Sequence, residues 1–423
     1  MQVLVAALVA CGVNLAIVLF LQKRYQPPIL RVVVFAYLAT VTLRYLVAVF
    51  LWLNHGDQGF ATMFWGDSGT YDGLGAEVAN GWAHGGGSSL WAETLEGKAN
   101  RGFIYFVAVI YYVFGRNPLL VQFLNGIIGA LTPIIIFEIG LLLYNERVAA
   151  RAMLFTAFFP QMIFWSAAMY KDAAVMFFIA LSMWSVLRLK LRFRLLDLLI
   201  YLGASAALIW LRFYIFYVLA VATIAGFWVT QRRSLLFGLI TQIFAVAGML
   251  TLLLMTPVGQ EMISQSRYLD LQQLQSSRSD LAARAESGFA VDADVSTVPG
   301  LLHLLPLGVA YLLFAPFPWM VGNLRQVLAL PDILVWYALM PALIRGLLSA
   351  LRHHLKQAIP ILVFTTALTL AYGAFLGNAG TAYRQRTQIM MFYFLFIADG
   401  LEKRRVDIEE QERSLDPARR VAI

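Results

Sequence analysis

The chain has 423 residues, of which 60% are hydrophobic and only 13% are charged, and its mean hydropathy is +0.72. An average soluble domain is roughly one quarter charged, so the composition excludes a soluble protein and indicates one that lies largely in a bilayer. A net charge of +8 would suggest nucleic acid as the partner of a soluble protein. Here the basic residues cluster in short loops between apolar runs, as cytoplasmic loops do, so we expect contacts with membrane lipids and none with nucleic acid.

Apolar runs of about 20 residues, the length that crosses a bilayer, recur along almost the whole chain. The first run has no basic n-region and no clear cleavage site, which predicts a retained span rather than a signal peptide. Six basic clusters separate the runs and should all be cytoplasmic, at 23–31, 147–151, 188–194, 232–233, 345–356 and 403–405. One topology satisfies all six, with the N-terminus outside, the C-terminus inside and eleven spans: 3–21, 32–53, 118–144, 150–168, 173–188, 196–211, 214–230, 234–256, 333–351, 357–377 and 387–401.

The predicted fold is therefore all-α, a polytopic bundle of transmembrane helices over residues 1–401 followed by a cytoplasmic polar tail at 402–423. The alternating ten-residue strands of a membrane barrel are absent. Two long stretches, 54–117 and 257–332, fall outside, and long loops in compact folds are often functional. Their short apolar segments, 103–114 and 301–319, suit interfacial or re-entrant helices better than spans. We expect the chemistry on this outer side.

The first external loop contains the motif WGDSGTYD at 65–72. An acid at the membrane boundary such as Asp67 could act as a general base if the fold buried it. The plainer alternative is a solvated loop acid or the N-cap of the next helix. Asp72 and Glu77 are weaker candidates in the same loop, as are Glu93 and Glu96.

Cations at the outer ends of predicted spans go against the charge rule and need a reason. Lys171 lies between two short spans, Arg212 ends a run at the outer turn of a hairpin, and Arg384 and Arg386 enter the last span. Because guanidinium groups match phosphate oxygens, the four could form an outward-facing anion site. Each could instead be a residue that reaches lipid headgroups, and Lys171 could simply mark a turn.

The remaining motifs limit the chemistry further. The segment LFAPFPW at 313–319 could line a groove for a sugar or an isoprenoid chain, with Trp319 at its end, although aromatic residues are common at membrane interfaces. Cys11 is the only cysteine, the five histidines lack the spacing of metal ligands, and no phosphate-binding loop occurs. We predict no nucleotide site, no cofactor and no metal held by His or Cys; a metal held by carboxylates alone stays open.

Taken together, these positions resemble the GT-C glycosyltransferase superfamily. The resemblance rests on an acidic first external loop and on an aromatic stretch ending FGRNP at 114–118. It rests further on Gln122-x-x-Asn125, the pair Glu146-Arg147 and Arg384-x-Arg386. The chain is similar in this respect to bacterial relatives of dolichyl-phosphate-mannose protein mannosyltransferases and of the aminoarabinose transferase that modifies lipid A.

The resemblance implies transfer of a sugar from a polyprenyl-phosphate carrier to a lipid, glycan or protein acceptor, on the periplasmic face of a bacterial cytoplasmic membrane. By the same resemblance, Asp67 would be the general base. Sugar-binding residues would be Tyr71, Asp72, Glu77 and Trp319. The residues that hold the carrier phosphate would be Lys171, Arg212, Arg384 and Arg386.

The sequence departs from this family in three ways. Two spans rather than one precede Asp67, and Asp67-Ser68 replaces a pair of acids, which leaves metal use and a second acid open. A soluble C-terminal domain is absent, so the two external loops would recognise the acceptor.

Two other functions stay open. One is an outer-face polysaccharide polymerase or ligase that uses diphosphate-linked glycans. The other is a lipid or glycan transporter, which should have ionisable residues within its spans. Glu138 is the clearest such acid, and Asp197 lies at a cytoplasmic end.

Overall fold

The computed structural model describes residues 1–56, 66–84, 101–228, 271–283, 287–290, 294–322 and 324–415. These residues are almost entirely helical, and the one isolated bridge among them joins Gly288 to Asn378. The predicted all-α class is confirmed. In chain order the described helices are α1 (Gln2–Arg24), α2 (Ile29–Leu53), α3 (Gly66–Ala83), α4 (Gly102–Phe114), α5 (Pro118–Leu143), α6 (Glu146–Phe158), α7 (Pro160–Ala167), α8 (Asp172–Leu191), α9 (Leu195–Trp228), α10 (Leu271–Ala283), α11 (Val298–Phe314), α12 (Leu324–His353), α13 (Leu355–Phe375) and α14 (Ala379–Leu415).

Several helices begin at side chains that satisfy the free N–H groups of a first turn. The Asn117 side chain accepts a hydrogen bond from the backbone N–H of Leu120 at 3.1 Å and is followed by Pro118 at the first helical position. Asn145 caps α6 in the same way, at 3.0 Å from the N–H of Val148. Proline suits this position because its missing N–H would have no partner there.

Seven of the described helices are long and apolar enough to cross a membrane: α1, α2, α5, α8, α9, α12 and α13. The pair α6 and α7, bent by 52° at its break, would make an eighth. The protein is thus a multi-pass membrane protein. The predicted span 234–256 lies outside the described residues, and the total of eleven stays a prediction. The two external segments predicted to be too short for spans form the apolar helices α4 and α11.

Helix α9 reverses its direction at Arg212, whose backbone angles (φ −163°, ψ 79°) are not helical. The hydroxyl groups of Tyr201 and Thr223 lie 3.1 Å apart, whereas 22 residues of continuous helix would separate them by about 33 Å. The two halves of α9 are therefore packed side by side. This arrangement agrees with two predicted spans, 196–211 and 214–230, with Arg212 at the turn between them.

The predicted span 150–168 is broken where Pro160 follows Phe159, because proline cannot donate the hydrogen bond that would continue α6. The fully buried Arg44 of α2 bridges the break, donating to Ser166 Oγ at 2.7 Å and to the Ala157 carbonyl at 3.3 Å. A cation at the C-terminal end of α6 also complements the helix dipole.

The described basic clusters meet at one end of the bundle. Arg24 pairs with Glu138 at 3.1 Å, and Arg151 pairs with Glu402 at 2.6 Å. At the same end, Lys190 Nζ donates to the backbone carbonyl of Lys356, in the 345–356 cluster, at 2.6 Å. The charge rule requires such a common end, and its location in the cytoplasm stays a prediction.

Candidate active site

Four predicted residues come from four separate helical regions and meet at the opposite end of the bundle. Asp67 lies in the first turn of α3, Lys171 directly precedes α8, Arg212 forms the turn within α9 and Arg384 lies in the second turn of α14. The segment that carries Lys171 is held by Asn125 of α5, whose side-chain amide donates to the carbonyls of Ala168 and Tyr170 at 2.8 and 3.0 Å. The convergence that the sequence could not show is therefore present.

The charged groups form an alternating chain of ion pairs. Arg212 Nη2 lies 3.1 Å from Asp172 Oδ1, Arg384 Nε lies 2.6 Å from Asp172 Oδ2, and Arg384 Nη1 lies 2.7 Å from Asp67 Oδ2. Arg212 also donates to the Tyr372 hydroxyl at 3.5 Å. We call this series, from Arg212 through Asp172 and Arg384 to Asp67, the ion-pair chain. It brings two carboxylates and two guanidinium groups into one network.

The ion-pair chain runs from the interior to the surface. The side chain of Asp172 is fully buried and that of Arg212 is 5% exposed, whereas the Asp67 side chain is 57% exposed. The burial that we expected for a general base is thus not found at Asp67 in this structure. Asp67 is instead the outer, accessible acid, and Arg384 connects it to the buried Asp172.

Two aromatic rings cover Arg384. Its guanidinium carbon lies 4.2 Å from the centre of the Tyr170 ring and 5.5 Å from that of Trp165. Such contacts stabilise a desolvated cation. Burial raises the pKa of Tyr170 to about 12 and raises that of Tyr71 as well, so both hydroxyl groups keep their protons. Tyr71, predicted to bind sugar, lies near the charges of the ion-pair chain. Its neutral hydroxyl group can form hydrogen bonds there.

Lys171 is buried beside the ion-pair chain, with 8% of the residue exposed. Burial, and next the nearby Arg212, lower the pKa of its ammonium group to about 7, although Asp172 acts in the opposite direction. No hydrogen bond or ion pair joins its Nζ atom to another residue within the described part of the chain. Its charge at neutral pH thus depends on what else occupies the site.

The local geometry of α3 explains why a glycine precedes Asp67. Gly66 has φ +32°, and a β-carbon at that position would lie 3.0 Å from the hydroxyl group of Tyr170. Glycine adopts positive φ values without the steric cost of other residues. This close approach of the α3 start to Tyr170 holds Asp67 near Arg384.

The residues that sequence reasoning missed are buried partners rather than surface groups. Asp172 was not among the predicted site residues, yet its carboxylate joins both arginines. Tyr372 bonds Arg212 on one side and donates to Gln388 Oε1 at 2.6 Å on the other. An acid directly after Lys171 at the outer end of a span was the one available signal for Asp172; none pointed to Tyr372.

Arg386 lies apart from the other predicted cations. It is fully buried and points toward the end of α11, where its Nη1 donates to the carbonyls of Leu313 and Ala315 at 2.9 and 3.2 Å. Trp336 donates to the same Leu313 carbonyl at 2.8 Å. Residues two apart on a helix do not share a face, so Arg384 and Arg386 point to different neighbours. Arg386 acts here as a cap for α11.

The remaining predicted sugar-binding residues do not touch the ion-pair chain. Asp72 accepts hydrogen bonds from Arg116 at 2.7 Å and from Tyr111 at 2.6 Å, an arrangement that joins α3 to α4. Glu77 is exposed farther along α3, and the exposed Trp319 stacks on Phe317. Their predicted contacts with sugar stay predictions. Trp65, Glu93 and Glu96 lie outside the described residues.

Residues 102–259 match the family model of dolichyl-phosphate-mannose-protein mannosyltransferases. This stretch contains Lys171, Asp172 and Arg212, whereas Asp67 and Arg384 lie outside it. No curated protein shows significant similarity to the chain. The family match confirms the resemblance drawn from the sequence, and together with the apolar helices it indicates a multi-pass membrane glycosyltransferase of the GT-C type.

Proposed function

We propose that the protein transfers a sugar from a polyprenyl-phosphate carrier to a hydroxyl group of a lipid, glycan or protein acceptor, on the outer face of the bacterial cytoplasmic membrane. The observation that carries the proposal is the ion-pair chain, in which the accessible acid Asp67 shares Arg384 with the buried Asp172. Acid and cations thus lie within reach of one bound molecule, as the reaction requires.

In the proposed reaction, Asp67 takes the proton of the acceptor hydroxyl while the acceptor oxygen forms a bond to the anomeric carbon. The bond between that carbon and the phosphate oxygen breaks, and its electron pair leaves on the carrier phosphate. Charge therefore develops on the phosphate as the bond breaks, and Arg212, Arg384 and Lys171 are the cations proposed to stabilise it. Such stabilisation grows toward the transition state and so accelerates the reaction.

The charges of the site favour a monophosphate over a diphosphate donor. Both arginines of the ion-pair chain already have carboxylate partners, so the described residues offer Lys171 alone as an additional cation. A phosphodiester carries one negative charge, which one additional cation balances, whereas a diphosphate carries two. We therefore prefer a polyprenyl-phosphate donor to the diphosphate-linked glycan of a polymerase or ligase.

A transporter receives little support from the acid that suggested it. Glu138 pairs with Arg24 at 3.1 Å and accepts a hydrogen bond from Tyr25 at 2.5 Å, at the basic end of the bundle. Asp197 pairs with Arg188 at 2.9 Å at that same end. Both acids thus have a structural partner away from the ion-pair chain.

The test is Asp67→Asn, assayed for transfer from a polyprenyl-phosphate sugar in membranes. General base catalysis contributes about 10²–10⁴-fold, so transfer should fall by at least about 100-fold while the protein still folds and binds the carrier. Glu146→Gln is the matched control: Glu146 is an exposed acid in the first turn of α6, at the basic end. Both substitutions remove a favourable charge from a helix N-terminus, but only the first should affect transfer. Transfer at the wild-type rate by Asp67→Asn would exclude this acid as the base.

A further inference from the structure

The ion-pair chain is electrically balanced before any ligand enters. Arg212 and Arg384 contribute two positive charges, and Asp172 and Asp67 contribute two negative ones, all joined by contacts of 2.6 to 3.1 Å. Each carboxylate already contacts a guanidinium group, so the four groups together carry no net charge. Any anion that binds here needs a positive charge from elsewhere.

Lys171 is the cation that lies beside this balanced chain. The charged groups that face it are Asp67 from α3, Asp172 from α8, Arg212 from α9 and Arg384 from α14. The site also contains the hydroxyl groups of Tyr71, Tyr170 and Tyr372.

A buried amine beside an electrically balanced set of charges gains little from being charged. Taking an ammonium group out of water costs several kcal/mol unless a counter-charge repays it. Arg212 and Arg384 oppose the charged form of Lys171, and Asp172 and Asp67 favour it. Burial, with the combined effect of these charges, lowers the pKa of Lys171 to about 7. An anion placed beside Nζ would supply the missing counter-charge and favour the protonated form.

We propose that Lys171 takes up one proton when the site binds a phosphate monoanion, so that ligand and proton enter together and the site stays electrically balanced. This inference rests on the proposed function, because it takes the monoanion to be the carrier phosphodiester. It assigns Lys171 as the residue that sets the charge of the accepted ligand: a monoanion matches one proton uptake, and a dianion does not.

Thermodynamic linkage gives the pH dependence its sign. At a pH well below the pKa of Lys171 the free site is already protonated, and binding of a monoanion requires no proton uptake. Above that pKa the proton must be taken from solution, so affinity should fall by about tenfold per pH unit. A neutral ligand should show no such dependence.

The experiment measures proton uptake by isothermal titration calorimetry on the full chain in detergent, with citronellyl methyl phosphate as the probe. This phosphodiester is a monoanion that does not titrate between about pH 5 and 9, so any proton taken up must enter the protein. At pH 8.5, binding enthalpies in buffers of different ionisation enthalpy should report close to one proton per ligand. At pH 5.5 the uptake should approach zero.

Two variants assign the uptake to Lys171. Lys171→Arg fixes the positive charge, because arginine stays protonated, so the diester should bind with no uptake and with a flat pH dependence. Lys171→Met should bind more weakly, also without uptake. Lys190→Arg is the matched control on the other end of α8, where Lys190 bonds a backbone carbonyl, and it should retain the wild-type uptake.

Each outcome is informative. Diester binding without proton uptake in the wild-type protein overturns this inference and leaves the carrier-phosphate site intact. Uptake that persists in both Lys171 variants overturns it as well, since the proton would then enter another group. Failure of the wild-type protein to bind the diester overturns the inference together with the proposed donor.

Discussion

Replacing Asp172 by Asn removes the charge on which both arginines of the ion-pair chain depend. The carboxylate is fully buried and lies 3.1 Å from Arg212 and 2.6 Å from Arg384. In the variant, Arg384 would keep Asp67 as its partner at 2.7 Å. Arg212, 5% exposed, would keep, among the residues that the structure describes, only its 3.5 Å contact with the Tyr372 hydroxyl. The structure therefore predicts that Arg212 loses most.

The magnitude follows from the burial of these groups. Removing one partner of a buried ion pair costs about 3–5 kcal/mol, because the other charge stays buried without compensation. The Asn side chain still offers one oxygen as acceptor, so we expect the lower end, about 3 kcal/mol. A loss of this size changes the ratio of folded to unfolded protein by about two orders of magnitude.

Thermal and denaturant unfolding in detergent would measure the loss of stability, and a transfer assay would measure the donor KM. We expect Asp172→Asn to be destabilised and to have a donor KM raised at least about tenfold, since the two arginines would no longer be held in one geometry. Asp197→Asn is the matched control. Asp197 is also buried and pairs with Arg188 at 2.9 Å, but at the basic end and with a partner that is 24% exposed.

Asp197→Asn should lose less stability, because water can solvate the released Arg188, and its donor KM should equal that of the wild type. The free energy of unfolding of Asp172→Asn could instead lie within about 0.5 kcal/mol of the wild-type value, with a wild-type donor KM. In that case Asp172 does not hold the arginines. The account of the ion-pair chain would then be wrong.

Two further substitutions separate the arginines of α14. Arg384→Lys should raise the donor KM and lower kcat, because one ammonium group cannot replace a planar guanidinium group that contacts Asp67 and Asp172 at once. Steady-state transfer assays would measure both constants, and wild-type values would contradict a role of Arg384 in the site. Arg386→Gln should leave the donor KM unchanged and lower stability by about 2 kcal/mol, since it loses charged hydrogen bonds to the end of α11; a rise in KM equal to that of Arg384→Lys would place Arg386 in the site after all.

The sequence by itself determined the solvent of this protein and the type of its secondary structure. Low charge and repeated apolar runs require a bilayer, and backbone groups in a bilayer must bond within their own segment, so helices followed directly. The basic clusters predicted a common end, and Arg212 was correctly placed at the turn between two packed segments. The bilayer location, the helices and the turn at Arg212 depend on composition or on residues that are neighbours in the sequence. They could therefore be predicted without the tertiary structure.

The residues of the candidate site could be predicted only in part from the sequence. Cations at the outer ends of spans broke the charge rule and so stood out, as did the acid of the first external loop. Arg384 and Arg386 gave identical signals in sequence, however, and only the structure separates them. Which face of α14 meets the α8 start and which meets α11 depends on how the helix is rotated within the bundle, and the sequence leaves that rotation open.

Tertiary structure alone decided how the charges are shared. Asp172 was not predicted as a site residue, yet it pairs with Arg212, 40 residues away in sequence, and with Arg384, 212 residues away. The tertiary structure also decided that Asp67 is exposed and Lys171 is buried. A general base was expected to be buried, and a cation that reaches lipid headgroups would be exposed. Burial and ion pairing set the protonation of such groups, and both depend on contacts between distant segments, which no local pattern specifies.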